Sequence, residues 1–443
     1  MQRLTATESE DQQRRVAGAL AAAGARPGDR VALLMPRRVE AISAVLGALR
    51  AGIIPVVLNG GLLDHERDDL LADAQPHLVI EGDRGLGDLL AGRPADLAPA
   101  PLGRPMQYTS GTTGRPKGVW TGVLDEPDAV ALLEEEREVW GFAGGDVHLV
   151  CSPLHHSAPI RFAGGTLLAG GEVVLLDRFD PPSFVAAVRE HRPTTAFLVP
   201  THLQRILAAS RSTPPAARPD LSSFRLVAHA GAPCPAPLKE AALAAFPAGS
   251  VWEFYGSTEG QFTVCSPTEW QDRPGTVGRA RPGRTLSVDG DGTIWCEVPR
   301  WGRWSYWRDP ARTAAAWRGS SFTVGDAGRL DDDGYLFLDG RRDDLIISGG
   351  VNVYPLEVEQ AIARFPGVED AAVFPVADDE WGQRVAAVVI GDVDLDALRR
   401  WLRGQLAPYK QPKHVVAAGE LPRTSTGKVR RSRLAAELGL DQQ

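Results

Sequence analysis

Short apolar runs alternate with longer amphipathic stretches through the first half of the chain, and this beat constrains the fold more than any other feature. "QQRRVAGALAAAGARPGDRVALLMP" reads as an amphipathic helix, a Pro-Gly-Asp turn and a short buried strand from Val31 to Leu34. "VEAISAVLGALRAG" is helical and closes on Gly52, after which "IIPVVLN" is strand-like. The pattern returns in "GEVVLLD" before "PPSFVAAVREHRP", in "TTAFLVP" before "THLQRILAAS", and in "FRLVAHAG" before "PLKEAALAAF". Strands that alternate with helices predict an α/β fold with two α/β subdomains in this part of the chain.

From about Gly275 the texture changes to short strands broken by turns, as in "GTVGRARPGRTLSVDGDGTIWCEV", which predicts a small β barrel over about residues 275–340. Beyond Arg342 comes a compact mixed segment: "PLEVEQAIARF" and "DLDALRRWLRGQL" read as helices, "EDAAVFPV" and "RVAAVVI" as strands. The expected organisation is therefore a large domain over 1–342 and a small α+β domain over 343–443. A chain of 443 residues is long for a single core, which agrees with that division.

Composition removes several function classes. A net charge of −8 without a long run of like charge argues against nucleic acid as a partner. Cys151, Cys234, Cys265 and Cys296 are widely spaced and form no Cys-x-x-Cys pair, so neither zinc nor a disulfide framework is expected. The first residues lack the apolar core of a secretory signal, and no apolar run reaches the length of a membrane span. These features lead to the expectation of a cytoplasmic protein.

"YTSGTTGRPKGV", Tyr108 to Val119, is built to hold phosphate. Its glycines let backbone N–H groups turn inward, its hydroxyls add donors, and Lys117 adds charge. It is not a Walker A loop, because Lys117 follows a proline. It resembles the phosphate loop of the adenylate-forming superfamily, which includes acyl-CoA synthetases, adenylation domains and luciferases. Further stretches match that family in order: "HAGAP", "YGSTEG", "GDAGRLDDDGYLFLDGRRDDLIISGGVNVYPLEVE" and "PRTSTGKVRR". The details of "PLHHSAP" and "IISGGVNVYP" are most similar to the fatty-acid and bile-acid CoA ligase branch, with a shortened N-terminus.

The resemblance implies a mobile C-terminal domain and a specific division of roles. Thr109, Ser110, Gly111, Thr112, Thr113, Gly114 and Lys117 would wrap the ATP phosphates. Gly231, Ala232 and Pro233 would lie along the adenine, with Tyr255 and Gly256 opposite, and Asp326 and Arg341 would hold the ribose. Thr258 and Glu259 would bind Mg²⁺, an ion that prefers oxygen ligands. Lys428 would join the attacking carboxylate to the α-phosphate, where a cation at about 4 Å in a medium of effective dielectric about 20 is worth about 4 kcal/mol, roughly a thousandfold in rate.

His156, Phe162, Trp252 and Gly260 would form the acyl pocket, with Gly164, Phe254 and Gln261 in its surroundings. His156 takes the family's histidine position, and His155 stands where an aromatic residue is usual. Asp343 would be the hinge, and Gly349 and Gly350 the passage for the CoA thiol. The expected reaction turns a small or medium aryl or fatty acid into an acyl-adenylate with release of pyrophosphate, then into a CoA thioester. Alternatives keep the adenylation and change its partners, to a carrier-protein thiol, an amine, or nitrite as the acid. Both a monomer and a homodimer fit the sequence.

Overall fold

The computed structural model describes residues 1–109, 117–211, 213–214, 218–348, 351–378, 382–423 and 429–440. Among them no helix is long and apolar enough to cross a membrane.

A six-stranded sheet forms the first layer. Val147–Val150, Thr195–Leu198, Leu226–His229 and Val251–Glu253 run parallel, Glu172–Leu175 joins the other side of Val147–Val150 in parallel, and Gln2–Thr5 closes that edge antiparallel. Thr195–Leu198 and Leu226–His229 are buried along their whole length, which explains their unbroken apolar sequence: a parallel sheet is covered on both faces. One face packs on Phe184, Leu203, Ile206 and Phe224. The other meets an aromatic cluster of Trp140, Phe142, Phe162, Phe197 and Phe254.

A second parallel sheet places Arg30–Leu34 between Ile54–Val57 and Leu78–Glu81. The helix Glu40–Arg50 is buried at every position after Glu40, because the helix Ala6–Ala22 lies across it. Gly47 makes this crossing possible. A Cβ there would stand 2.6 Å from the Gln13 carbonyl oxygen, so any side chain would force the helices apart. The entering helix is fixed at its start by a reciprocal cap between Thr5 and Glu8.

The turn-rich segment folds as separate small antiparallel sheets around a shared core of Phe262, Trp304, Tyr306 and Phe322. Thr285–Val288, Ile294–Glu297, Ser321–Phe322 and Trp317–Arg318 form one sheet, and Asp326–Leu330 pairs with Leu336–Arg341 in another. The expected single barrel is thus several short ladders, with the aromatic side chains supplying the continuity that hydrogen bonding does not. Two-residue strands are too short to form a closed ring of ladders.

Past the short 3₁₀ turn Arg342–Asp344, a separate sheet runs in the order Val351–Val353, Ile346–Ser348, Gly382–Gly391, Val368–Asp378, with His414–Ala417 also paired to Gly382–Gly391. The helices Pro355–Ile362 and Leu395–Gln405 cover one face and Arg431–Glu437 the other, giving two apolar clusters. Neither shares a residue with the clusters before the turn. Asp343 lies in this turn.

Candidate active site

The strands Gln107–Thr109 and Lys117–Trp120 form a hairpin in which Thr109 faces Lys117, so the two ends of the phosphate-loop motif are fixed side by side. Ser110, Gly111, Thr112, Thr113 and Gly114 lie outside the described residues. The hairpin is tied down from below, where the Tyr108 hydroxyl donates to Asp73 Oδ2 at 2.6 Å. Ser305–Tyr306 extends the hairpin on the Lys117 side, with Tyr306 opposite Val119.

Tyr306 joins two parts of the site. Its ring centroid lies 5.0 Å from Lys117 Nζ, and its hydroxyl donates to Glu259 Oε1 at 2.9 Å. Glu259 is 7% exposed, so this bond satisfies a carboxylate that has little contact with water. Burial and the Glu259 charge push the Tyr306 phenol well above its ordinary range, which keeps it protonated as a donor. Glu259 sits in a tight turn in which Ser257 N donates to the Gly260 carbonyl. Both glycines of that turn are required: a Cβ on Gly256 would stand 2.7 Å from Gly260 O, and one on Gly260 would stand 2.7 Å from the Phe322 ring.

Tyr255, Asp326 and Arg341 form a second group. The Tyr255 hydroxyl donates to Asp326 Oδ2 at 2.6 Å, and Arg341 Nε lies 3.1 Å from Asp326 Oδ1. Asp326 and Arg341 meet because their strands pair in that register. Burial works against the Arg341 charge, yet Asp326 and neighbouring acids outweigh it and hold Arg341 above its ordinary value. One face of Tyr255 is occupied by Phe262, with ring centroids 4.9 Å apart. Gly231 follows the end of the strand Leu226–His229 with φ of +93°, a conformation that suits glycine.

His156 immediately precedes the helix Ser157–Leu168, and its ring lies 4.1 Å from that of His155. His155 is held through its carbonyl by Gln107 Nε2 at 3.0 Å. Burial, reinforced by the Arg37 charge, pulls His155 down to about 4.

Between the helices Glu126–Trp140 and Ser157–Leu168 and the Ser257–Gln261 turn lies a cavity of about 140 Å³. Gly164, Thr258, Gly260 and Gln261 line it. His156, Phe162 and Trp252 do not: the lining begins one residue after His156, at Ser157, Phe162 is fully buried against Trp140 and Phe197, and the Trp252 indole donates to Gly249 O. Successive helical residues point about 100° apart, so the residue before Phe162, Arg161, takes the cavity side instead. Sequence reasoning also missed Tyr306 and Arg104, whose Nη2 donates to the Glu259 carbonyl at 3.1 Å. No local signal marks either one, since their partners are brought together only by the tertiary fold.

No group of three or more His, Cys, Asp or Glu residues suited to a metal occurs among the described residues. Mg²⁺ needs no such cage, because it is commonly held by one or two carboxylates together with substrate phosphates and water. Glu259 and Thr258, oxygen donors on the turn beside Lys117, fit that requirement. Lys428, Gly349 and Gly350 lie outside the described residues.

Comparison with known proteins places this geometry among relatives. The profile described as AMP-binding enzyme matches residues 1–99 and 105–294, and that of the AMP-binding enzyme C-terminal domain matches 357–428. A feruloyl-CoA synthase from an Amycolatopsis species is 35% identical, over 98% of this chain and 94% of its own length. ATP-bound MatB from Rhodopseudomonas palustris superposes with a TM-score of 0.83 at 31% identity, covering 98% of this chain and 93% of that one. o-Succinylbenzoate CoA synthetase from Bacillus subtilis, solved with its acyl-adenylate intermediate, gives a TM-score of 0.82 at 27% identity, covering 97% and 92%.

Proposed function

The chain belongs to the AMP-binding enzyme family and is an AMP-forming acid–thiol ligase, and from that premise we propose how its residues divide the work. It activates a carboxylic acid with ATP to an acyl-adenylate, and then transfers the acyl group to the thiol of CoA. One observation carries the assignment of roles: Lys117, Tyr306 and Glu259 form one connected group, and Tyr255, Asp326 and Arg341 another, near enough that Arg341 feels the Glu259 charge.

Asp326 accepts the ribose hydroxyls and Arg341 steadies Asp326. Gly231, Ala232 and Pro233 border the adenine, and Gly256 lets the backbone approach it. Tyr255 acts mainly through its hydroxyl, since one of its faces is covered by Phe262. Lys117 and the loop from Thr109 to Gly114 hold the outer phosphates. Glu259 and Thr258 would hold Mg²⁺, which would supply positive charge to the phosphate oxygens when bound. A carboxylate oxygen of the acid attacks the α-phosphorus, the bond to the β-phosphate bridge breaks, and pyrophosphate leaves. Lys428 neutralises charge on the α-phosphoryl oxygens during that step. The C-terminal domain then turns about Asp343, and the CoA thiolate, reaching past Gly349 and Gly350, attacks the acyl carbon and expels AMP.

The acid lies in the cavity beside Gly260 and Ser157. A volume of about 140 Å³ is close to that of cavities that receive a single aromatic ring, which supports a compact aryl or short fatty acid. The four free cysteines suit a reducing compartment such as the cytoplasm.

Pyrophosphate release assayed over a panel of acids, nitrite included, with and without CoA, tests this reading. AMP and thioester formed together only when CoA is present are the expected outcome. Adenylate discharged to an amine or a carrier protein and never to CoA, or activity confined to nitrite, would overturn the choice of acceptor or acid.

A further inference from the structure

The cavity assigned to the acid runs along one helix and stops at one side chain. Ser157, Ile160, Arg161, Gly164, Gly165 and Leu168 line it, and their spacing of three and four marks a single face of the helix Ser157–Leu168. At about 1.5 Å per residue, Leu168 stands about 16 Å along the axis from Ser157. The helix Glu40–Arg50 faces the same stretch with Leu46 and Leu49. The two helices approach closely there, since a Cβ on Gly164 would stand 3.1 Å from Leu46 Cδ2.

A second cavity, of about 560 Å³, begins where the first one stops. Among the described residues, Leu168 is the one that both linings share. Two neighbouring segments change sides at the same place: Leu49 borders the acid cavity and Arg50 the outer one, and Pro101 borders the acid cavity and Pro99 the outer one. The inner side of this partition is apolar. The outer side carries Glu10 and Arg14 and opens to water past the exposed Thr7, Asp11, Pro99 and Gly170. The backbone of the partition is pinned on both sides: Arg50 donates to Glu10, Gln13 and the Ala98 carbonyl, and Arg137 Nη2 donates to the Leu168 carbonyl at 2.8 Å.

We propose that the Leu168 side chain is the end stop that sets the longest acid this enzyme accepts. An acid whose carboxylate reacts beside Ser157 and Gly260 points its other end along the helix face towards Leu168. A tail that overruns Leu168 must force apart a wall whose backbone is held by Arg50 and Arg137. Shortening Leu168 joins the two cavities and gives the tail an exit into the outer one. Leu168 is thus a specificity-determining residue, and the inference rests on the ligase reading above.

The test measures ATP–pyrophosphate exchange on the full chain with two series of acids, straight-chain acids from butyrate to hexadecanoate and 4-alkylbenzoates from methyl to octyl. In the wild-type protein kcat/KM should fall by about 10-fold or more for the first methylene beyond a limiting length. Leu168→Ala should raise kcat/KM for the acids just past that limit by about 10- to 200-fold relative to the shorter ones, and Leu168→Phe should move the limit to a shorter acid. Each comparison is a ratio within one protein, so a general loss of stability or activity would not produce it. Should the alanine variant fail to fold, the phenylalanine variant and the wild-type profile still decide the matter. A wild-type profile with no limiting length, or a limit that stays in place in the variants, overturns the proposal. Exchange with no acid of either series overturns the ligase reading, and the proposal with it.

Discussion

Replacing Asp326 with Asn gives the sharpest check on the nucleotide site, because it keeps the shape and removes the charge. Asp326 accepts from Tyr255 at 2.6 Å and lies 3.1 Å from Arg341, so its direction is already set before any nucleotide binds. A hydrogen bond from a ribose hydroxyl to such a carboxylate is worth about 1.5–3 kcal/mol, or roughly 10- to 150-fold. The ribose does not change during the reaction, so the loss should raise KM for ATP and leave kcat nearly intact. The variant also disturbs Tyr255 and Arg341, and a chemical cycle separates that from the ribose contact. With 2′-deoxy-ATP the wild-type enzyme should lose roughly 10- to 150-fold in kcat/KM, while Asp326→Asn should barely distinguish the two nucleotides. A deoxy penalty of equal size in both proteins would refute the assignment of Asp326 to the ribose.

Lys428→Ala should reduce adenylate formation by about a thousandfold yet spare conversion of a supplied acyl-adenylate to thioester; equal loss of both half-reactions would contradict its role. Tyr306→Phe keeps the ring beside Lys117 and removes only the donor to Glu259, so exchange should fall by roughly 10- to 100-fold with the fold intact, and a wild-type rate would remove Tyr306 from the site. His148, His155 and His202 are drawn by burial to about 3, about 4 and about 4, against an ordinary 6.5. They are neutral when folded and bind protons more readily once unfolded, so stability should fall as pH drops from about 7 towards about 4. An unfolding midpoint that stays flat over that range would show the histidines to be accessible to protons in the folded state.

The parts of this molecule that could be read in advance are those whose partners lie close in sequence. The parallel strands appear as unbroken apolar runs, and the turn from Gly256 to Gln261 carries its two obligatory glycines in one motif. Tyr306 was hidden because nothing between residues 259 and 306 signals that its hydroxyl will meet Glu259. The pocket wall was misjudged at Phe162 and Trp252 because aromatic character does not tell which way a helix or strand turns its side chains. On the helix Ser157–Leu168 the sheet claims Phe162, and the charged neighbour is turned to the cavity. The small sheets after Gly275 showed their turns in the sequence but not their pairing, which depends on a shared aromatic core.

Arg431 lies three positions beyond Lys428 and grips the other end of the C-terminal unit: its Nη1 stands 3.2 Å from Asp344, and its Nη2 donates to both Glu359 oxygens at 2.7 and 2.9 Å. Arg430 N donates to Pro422 O at 2.9 Å, so the stretch that carries Lys428 is clasped at its base as well. Arg431 thus ties the helix Arg431–Glu437 to the helix Pro355–Ile362 and to the turn after Arg341, so torsion at that turn would carry the two helices together rather than let them slide past one another.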